Sequence, residues 1–569
     1  MTMLSGAQML VRTLEDLGVE YLFGYPGGAV LDIYDALLDS TKIHHVLGRH
    51  EQGVAHAADG YARVSGKVGV CLVTSGPGST NTVTAVATAY MDSIPLVVIT
   101  GQVGTPLIGS DAFQEVDTIG ITRPIVKHSY LCQKALDIPV FLRKAFYLAS
   151  TGRPGPVVVD VPKDCVRPSV KFEYPEPTEV KMRSYNPTRN GHRGQIRRAV
   201  RLLSEAKRPV LMIGGGAVTS GAAERLCRLA HTFRLPVTAT LMGIGVFPGT
   251  DPQFLGMLGM HGTYEANQAM DKADMVLAVG VRFDDRVTNN LEKFCPGAKI
   301  VHIDIDPASI SKTVMADIPI VGDARTVMGQ FEEMVRDLDV HCNAAAMDTW
   351  WKQIEYWRAR NCLAYSKDPQ LIQPQQIVES VYRATKGDAI IVTDVGQHQM
   401  FTALYYKFKE PRRHITSGGL GTMGYGFPAG IGACVACPGQ TVCLLTGDGS
   451  FQMNIQELST CLQFHIPLKI FIFDNHTLGM VRQWQTMFYK GHVHCTTLSA
   501  NPDFVALARA YGHDGIRVEK PEELDAAVDK ALSMKDKLVI VDIVCNTDAK
   551  VLPMQQGGGS MADMFLEWE

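Results

Sequence analysis

Ten short apolar runs recur along the chain, each closing on Gly, Asp, Asn or Pro. VGVCLVTSG, PLVVITGQ and GPVVVDVP lie in its first third, PVLMIGGG, ADMVLAVG and KIVHIDID in the middle, and AIIVTDVG, TVCLLTGDG, LKIFIFDN and KLVIVDIV further on. Their apolar character is continuous rather than alternating, which predicts strands buried on both faces. Helical patterns such as FQMNIQELSTCLQF separate them, so the repeating unit is strand, helix, strand. The expected fold class is α/β, with parallel sheets wound on both sides by helices.

Two stretches break this rhythm: a polar, Pro-rich segment at 168–191 and a helical, strand-free region at 335–373. Read as linkers, they leave three consecutive doubly wound modules at 1–167, 192–334 and 374–550, followed by a short Gly-rich tail at 551–569. Ligands of open parallel sheets bind at the carboxyl ends of strands, where the strand order reverses. The turns after the strands are therefore where chemistry is expected.

Composition narrows the function classes. The 569 residues carry 54 Lys and Arg against 58 Asp and Glu, with no block of like charge to serve nucleic acid or an anionic membrane. No run reaches the ~18 apolar residues of a membrane span. The 13 cysteines sit mostly in apolar runs, as reduced core thiols do. The N-terminal residues have neither a signal-peptide nor a transit-peptide pattern, and a cytoplasmic, bacterial protein is the expectation.

The strongest local signal is Gly447-Asp448-Gly449-Ser450 at the end of TVCLL, with Asp474-Asn475 ending LKIFIF one helix later. One βαβ unit thus delivers Asp448 and Asn475 to the same sheet edge. Few hard oxygen ligands suit a Mg²⁺ completed by water and phosphate oxygens. The glycines admit a diphosphate, and a helix starting near Phe451 would turn its N-terminus to it.

This pair resembles the thiamine diphosphate fingerprint of the decarboxylase, carboligase and oxidase superfamily, with Asp474 in place of that pattern's first Asn. The resemblance implies Mg²⁺ on Asp448, Asn475 and the carbonyl oxygen of Thr477. The runs FGYPGGAVLD (23–32), RHEQ (49–52) and TSGPGSTN (74–81) match in order as well, and make Glu51 the carboxylate at N1′ of the aminopyrimidine. GYPGGAVLDIYDAL, DAFQEVD, GVRFDDRVT, DVGQHQM, SGGLGTMGYGFPA and GMVRQWQ extend the likeness to nearly the whole chain. They resemble the large catalytic subunits of the acetohydroxyacid synthases, isozyme III type most closely.

The resemblance implies decarboxylation of pyruvate on thiamine diphosphate and transfer of the hydroxyethyl unit to pyruvate or 2-ketobutyrate. The products are 2-acetolactate or 2-aceto-2-hydroxybutyrate, on the route to branched-chain amino acids. Gly421 and Met423 would grip the aminopyrimidine. Gln397, His398, Gly449, Ser450 and Gly479 would contact the diphosphate. Arg286 would hold the second ketoacid's carboxylate, and Trp484 would shape the pocket for its side chain. Phe113, Gln114 and Gly28 would line the opposite wall, with Met480 and Val481 completing the apolar face. FAD would lie along the middle module, contacted by Arg153, Gly214, Gly215, Arg282, Asp304 and Asp323. The resemblance also implies a homodimer or homotetramer with Glu51 supplied across subunits, and a separate regulatory small subunit.

Taken alone, Arg286 would pair with Asp284 or Asp285 on the surface and Trp484 would be core. Gly419-Leu-Gly421-Thr-Met-Gly424 is a weak dinucleotide pattern, with no apolar strand before it and no acid at the required offset. Cys434 and Cys437 lack a second CxxC for zinc. His492, His494 and Cys495 read as a solvated loop. Gly104 stands where many relatives of this kind have Pro, and the tail is expected to order only over cofactor. A flavin-dependent pyruvate oxidase is the alternative, disfavoured by RFDDR and MVRQWQ. A glyoxylate carboligase would lack Glu51, and an inactive homologue would have lost Glu51, Asp448 or Asn475.

Overall fold

The computed structural model of the chain describes residues 2–567. Three six-stranded sheets, each wholly parallel, follow one another along the sequence. In the first, His44–Leu47, Tyr21–Tyr25, Gly69–Val73, Leu96–Gln102, Pro156–Pro162 and His128–Leu131 lie side by side in that order. The second runs Phe254–Met257, Val237–Ala239, Pro209–Ile213, Met275–Val279, Lys299–Asp304, Ile318–Val321. The third runs His414–Ile415, Ile390–Thr393, Val442–Gly447, Lys469–Asp474, Val539–Val544, Asp514–Val518.

Counted within each sheet, the first and third share the strand order 2-1-3-4-6-5, whereas the second has 3-2-1-4-5-6, the order of dinucleotide-binding folds. In all three the connections diverge between the strand that starts the module and the strand beside it on the far side. Those gaps lie beyond Tyr25 and Val73, beyond Ile213 and Val279, and beyond Thr393 and Gly447.

The continuous apolar runs form the inner strands, and every residue of Gly69–Val73, Pro209–Ile213, Met275–Val279 and Val442–Gly447 is buried. The segments between modules are structured too. Lys171–Glu173 pairs antiparallel with Met3–Ser5, and the helix Ala344–Arg358 seats Trp350 and Trp357 against the middle module. The tail makes its own protein contacts. Met554–Gln555 pairs with Met564–Phe565, and Asn289 and Asn290 donate to the carbonyls of Gln556 and Gly558. FQMNIQELSTCLQF is less regular than its pattern suggests. A helical turn begins at Asp448 rather than near Phe451, and the path kinks at Asn454, whose amide donates to the Gly424 carbonyl at 2.7 Å.

The first and third modules meet where the helix Glu51–Ser65 packs along Gly426–Ala436. The approach is backbone to backbone. A Cβ on Gly432 would lie 1.9 Å from the Ala57 carbonyl oxygen, and one on Gly60 would lie 2.2 Å from that of Ala429. Neither neighbour is a side chain that could swing away, so glycine is required at both positions. We expect Gly432→Ala to cost about 1–3 kcal/mol through overpacking, measured as a lower urea midpoint; an unchanged midpoint would show that the interface is loose.

Candidate active site

The gap in the third sheet gathers most of the residues singled out there. Asp448 follows the strand Val442–Gly447 and Asn475 follows Lys469–Asp474, both buried. Together with Gln397, His398, Gly449, Ser450, Thr477 and Gly479 they line a cavity of about 60 Å³. Asp448 accepts from the Gly449 amide at 3.0 Å and from Asn501 Nδ2 at 2.7 Å. Burial and the neighbouring Asp474 hold its carboxyl well above the usual range. Asn475 Oδ1 accepts from the Thr477 amide at 3.2 Å, turning residues 475–477 about one point.

The cavity is built for a polar ligand. Gln397 Oε1 and His398 Nε2 are buried in it without a protein partner, a condition that is costly unless something else satisfies them. Burial pushes the His398 imidazole down to about 3, so the free ring is neutral. A Cβ on Gly479 would lie 2.2 Å from Gln397 Oε1 and 2.8 Å from Asn475 Nδ2, and one on Gly449 would meet Leu478 at 3.0 Å. These glycines leave room for the two amides and the ligand. Carboxylate and amide oxygens beside such a cradle fit a divalent cation carrying a diphosphate.

Asp474 was expected only as a departure from the pattern. In place its carboxylate lies within 4.8 Å of ligand atoms of Asp448 and His476, but its oxygens are taken by Asn501 at 3.0 Å, His476 at 3.2 Å and Arg517 at 3.4 Å. It acts with Asn501 as a bracket behind Asp448. Asn501, in a loop with no motif around it, gives no signal in the sequence.

A groove of about 830 Å³ adjoins this cavity and reaches across to the middle module. Gly421, Met423, Met480, Val481 and Trp484 line one end, and both depressions share Met423, Met480 and Val481. On the helix Gly479–Phe488, Met480 and Trp484 are four residues apart and share a face, while Gln483 and Met487 form the buried side. Arg286 lines the same groove with its guanidinium 3.8 Å from Asp285, a loose pair that leaves it available. The tighter partner of Asp284 is Arg282, at 3.4 Å. A short edge strand, His414–Ile415, does precede the 419–424 run, yet the run itself is irregular backbone held by Asp394. That carboxylate accepts from the amides of Gly424 at 2.9 Å and Gly426 at 3.0 Å, and burial raises it to about 6.

The far end of the groove is the gap in the middle sheet. Arg153, Gly215, Arg282, Asp304 and Asp323 line it. Arg153 is steadied by Ser93 Oγ at 2.8 Å and Asp306 at 3.2 Å, and burial raises the Asp304 carboxyl to about 6. Asp323 caps the helix Ala324–Asp337 through the Thr326 amide. Gly214 does not reach the groove; a Cβ there would sit 2.2 Å from the Gly280 carbonyl oxygen, so it serves close packing of the two strand ends. An edge with Gly215 and Gly216 at a helix start, arginines, and the buried, unpartnered Nδ1 of His261 fits an elongated nucleotide such as FAD.

Glu51, Gly28, Phe113 and Gln114 do not line either depression. They gather instead at the gap in the first sheet. Asn81 Nδ2 donates to Glu51 Oε2 at 3.0 Å, the Ala29 amide donates to Thr74 Oγ1 at 3.4 Å, and a Cβ on Gly76 would touch the Gln114 backbone at 2.7 Å. Phe113 is 88% exposed, which is unusual for a phenylalanine. The chain therefore keeps the first-sheet cluster apart from the third-sheet cavity and the groove. Elsewhere, Cys434 lies buried in the apolar core, and Cys495 is exposed in the loop after Gly479–Phe488. Among the described residues no helix is long and apolar enough to cross a membrane.

Comparison with known proteins agrees with this layout. Residues 4–121, 196–331 and 394–543 match the thiamine pyrophosphate enzyme families described as N-terminal TPP binding domain, central domain and C-terminal TPP binding domain. The chain is 56% identical over 566 residues to the acetolactate synthase large subunit of Haemophilus influenzae, covering 100% of this chain and 99% of the relative. It is 57% identical over 568 residues to the acetolactate synthase isozyme 3 large subunit of Escherichia coli, with the same coverage. An acetolactate synthase of Mycobacterium bovis is 46% identical over 562 residues, 98% of this chain and 90% of the relative. The alternative reading as a flavin-dependent oxidase is not favoured by these matches. The chain belongs to the large subunits of acetolactate synthase, enzymes that depend on thiamine diphosphate.

Proposed function

We propose that this chain forms 2-acetolactate, or 2-aceto-2-hydroxybutyrate, at a site completed between two copies of itself. The observation that carries the reading is the junction of the third module's cavity with the long groove. Asp448, Asn475 and two unpartnered buried polar atoms border the cavity, Arg286 and Trp484 border the groove, and Met423, Met480 and Val481 line both. Thiamine diphosphate supplies the nucleophilic carbon and the electron sink when bound.

The protein's part is geometry and charge. Asp448, Asn475 and the Thr477 carbonyl would hold Mg²⁺, with Gly449, Ser450, Gly479, Gln397 and His398 around the diphosphate. Gly421 and Met423 would grip the aminopyrimidine. Glu51 of the second copy would keep a proton at N1′, a task for a carboxylate beside a basic ring nitrogen. Arg286 would bind the carboxylate of the second ketoacid, for which a planar guanidinium is suited. Trp484, Met480 and Val481, with Gly28, Phe113 and Gln114 of the second copy, would close the pocket against water and shape it for a methyl or ethyl substituent. FAD would occupy the middle module's edge on Arg153, Gly215, Arg282, Asp304 and Asp323, as a structural group. A regulatory small subunit is a further expected partner, since relatives are named as large subunits. The cytoplasm is the expected compartment.

The test is an anaerobic incubation with pyruvate, thiamine diphosphate, Mg²⁺ and FAD. Acetolactate should accumulate while the flavin stays oxidised, whereas acetate with bleached flavin would assign the chain to the oxidases. Gly479→Ala should push aside Gln397 and Asn475 and weaken cofactor and Mg²⁺ retention by at least about tenfold in equilibrium titrations, equivalent to roughly 1.4 kcal/mol; wild-type affinity would remove both residues from the site. Glu51→Gln should cut the rate by about 10²-fold or more. Mixing Glu51→Gln subunits with Asn475→Ala subunits should restore up to about a quarter of wild-type activity through mixed dimers holding one intact site. No recovery on mixing would place Glu51 and Asn475 in the same subunit's site.

A further inference from the structure

The segment 416–425, which carries Gly421 and Met423, is not held by its own module alone. Asp394 grips it from one side, through the amides of Gly424 and Gly426. From the other side it meets a buried ionic chain of the first module. Arg63, near the end of the helix Glu51–Ser65, has Nε 2.6 Å from Asp59 Oδ1 and Nη2 2.9 Å from Asp92 Oδ2. The Arg63 side chain is 4% exposed and both carboxylates are 0% exposed.

Each member of the chain reaches into the third module. Asp92 accepts from the Gly419 amide at 2.7 Å and the Gly418 amide at 3.1 Å. Arg63 Nη1 donates to the Thr416 carbonyl at 2.8 Å. The Tyr425 hydroxyl donates to Asp59 Oδ1 at 2.8 Å, and the Arg63 guanidinium lies 5.1 Å over the Tyr425 ring. Beside them, the hydroxyls of Thr88 and Thr422 are 2.7 Å apart. Glycine is needed at the point of approach, since a Cβ on Gly419 would lie 2.9 Å from Asp92 Oδ1.

Adhesion between the modules does not explain this arrangement. The helix pair joined through Gly60 and Gly432 already supplies close packing and an apolar core. Burying ions contributes little net stability compared with apolar residues of the same volume, because desolvation offsets the attraction. What such a chain does supply is direction. Its charge-assisted bonds end on particular backbone atoms and permit one placement of the loop.

We propose that Asp92 and Arg63 are positioning residues for cofactor binding, fixing the backbone of 416–419 so that Gly421 and Met423 face the groove at the height of the aminopyrimidine. Asp92 acts through the loop rather than on the ligand, because its oxygens are already engaged by Gly418, Gly419 and Arg63. The proposal rests on the reading of Gly421 and Met423 as the aminopyrimidine grip.

The test is Asp92→Asn in the full-length chain, which keeps the shape and removes the charge opposite Arg63. Titrating the Mg²⁺-saturated protein with thiamine diphosphate should show a dissociation constant raised about tenfold. The near-ultraviolet circular dichroism of the bound aminopyrimidine should weaken, and kcat at saturating cofactor should fall with the KM for pyruvate unchanged. A lower unfolding midpoint with unaltered cofactor affinity, dichroism and kcat would overturn the proposal and leave the chain as an interface element. If Asp92→Asn does not fold, Thr88→Val removes the adjacent hook without touching an ion. It should weaken cofactor binding about two- to threefold, and wild-type affinity there would also overturn the proposal. Gly421→Ala separates the two readings. Lost affinity in Gly421→Ala with none lost in Asp92→Asn refutes the positioning role alone, whereas full affinity in Gly421→Ala refutes the grip and the proposal with it.

Discussion

A sheet buried on both faces has no lateral surface left for polar chemistry, and that constraint organises the whole molecule. Helices cover the flanks, so the one place where backbone amides and side chains can converge on a ligand is the carboxyl edge, where connections leave in opposite directions. The chain has three such gaps, and each holds one set of candidate site residues. Glu51, Gly28 and Gln114 gather at the first, Gly215, Arg282 and Asp304 at the second, and Asp448, Asn475 and His398 at the third. The shared strand order of the first and third sheets makes them two copies of one architecture with different tasks.

The loops at these edges lie against neighbouring modules, and glycine provides the close approach. Gly60 and Gly432 let two helices touch backbone to backbone, Gly214 packs against Gly280 where the middle strands end, and a Cβ on Gly418 would lie 2.4 Å from Met242 Sδ of the middle module. At Gly418 all three modules therefore meet, since Asp92 of the first accepts from its amide. The groove floor is an interface before it is a pocket.

This division explains what the sequence made legible. The inner strands were read because burial on both faces writes an unbroken apolar run. The edge strands were not: His44–Leu47, His128–Leu131 and His414–Ile415 are short and half-exposed, and the buried inner strand Val237–Ala239 is too short, at three residues, to write a run. Tyr21–Tyr25 is an inner strand, but its run is broken by a glycine and drew notice only as a motif. Site residues carried on turns after inner strands were legible for the same reason as the strands. Asp394, Asp92 and Asn501 were not, because each acts on backbone or carboxylates distant in sequence, and nothing in the local pattern records a partner met through space.

The helix Glu51–Ser65 links these levels. Its first residue is Glu51, at the gap of the first sheet, and Arg63 near its last turn anchors the loop of the third module. At 1.5 Å per residue the two positions are about 18 Å apart on one rigid element. Its middle is locked by Gly60 against Gly426–Ala436, with no side chain between to absorb a shift. One rod therefore sets the placement of both Glu51 and the loop that Arg63 holds. The position of the Glu51 carboxylate and that of the 416–425 loop are then not independent variables, because a shift at one end of the helix is carried to the other.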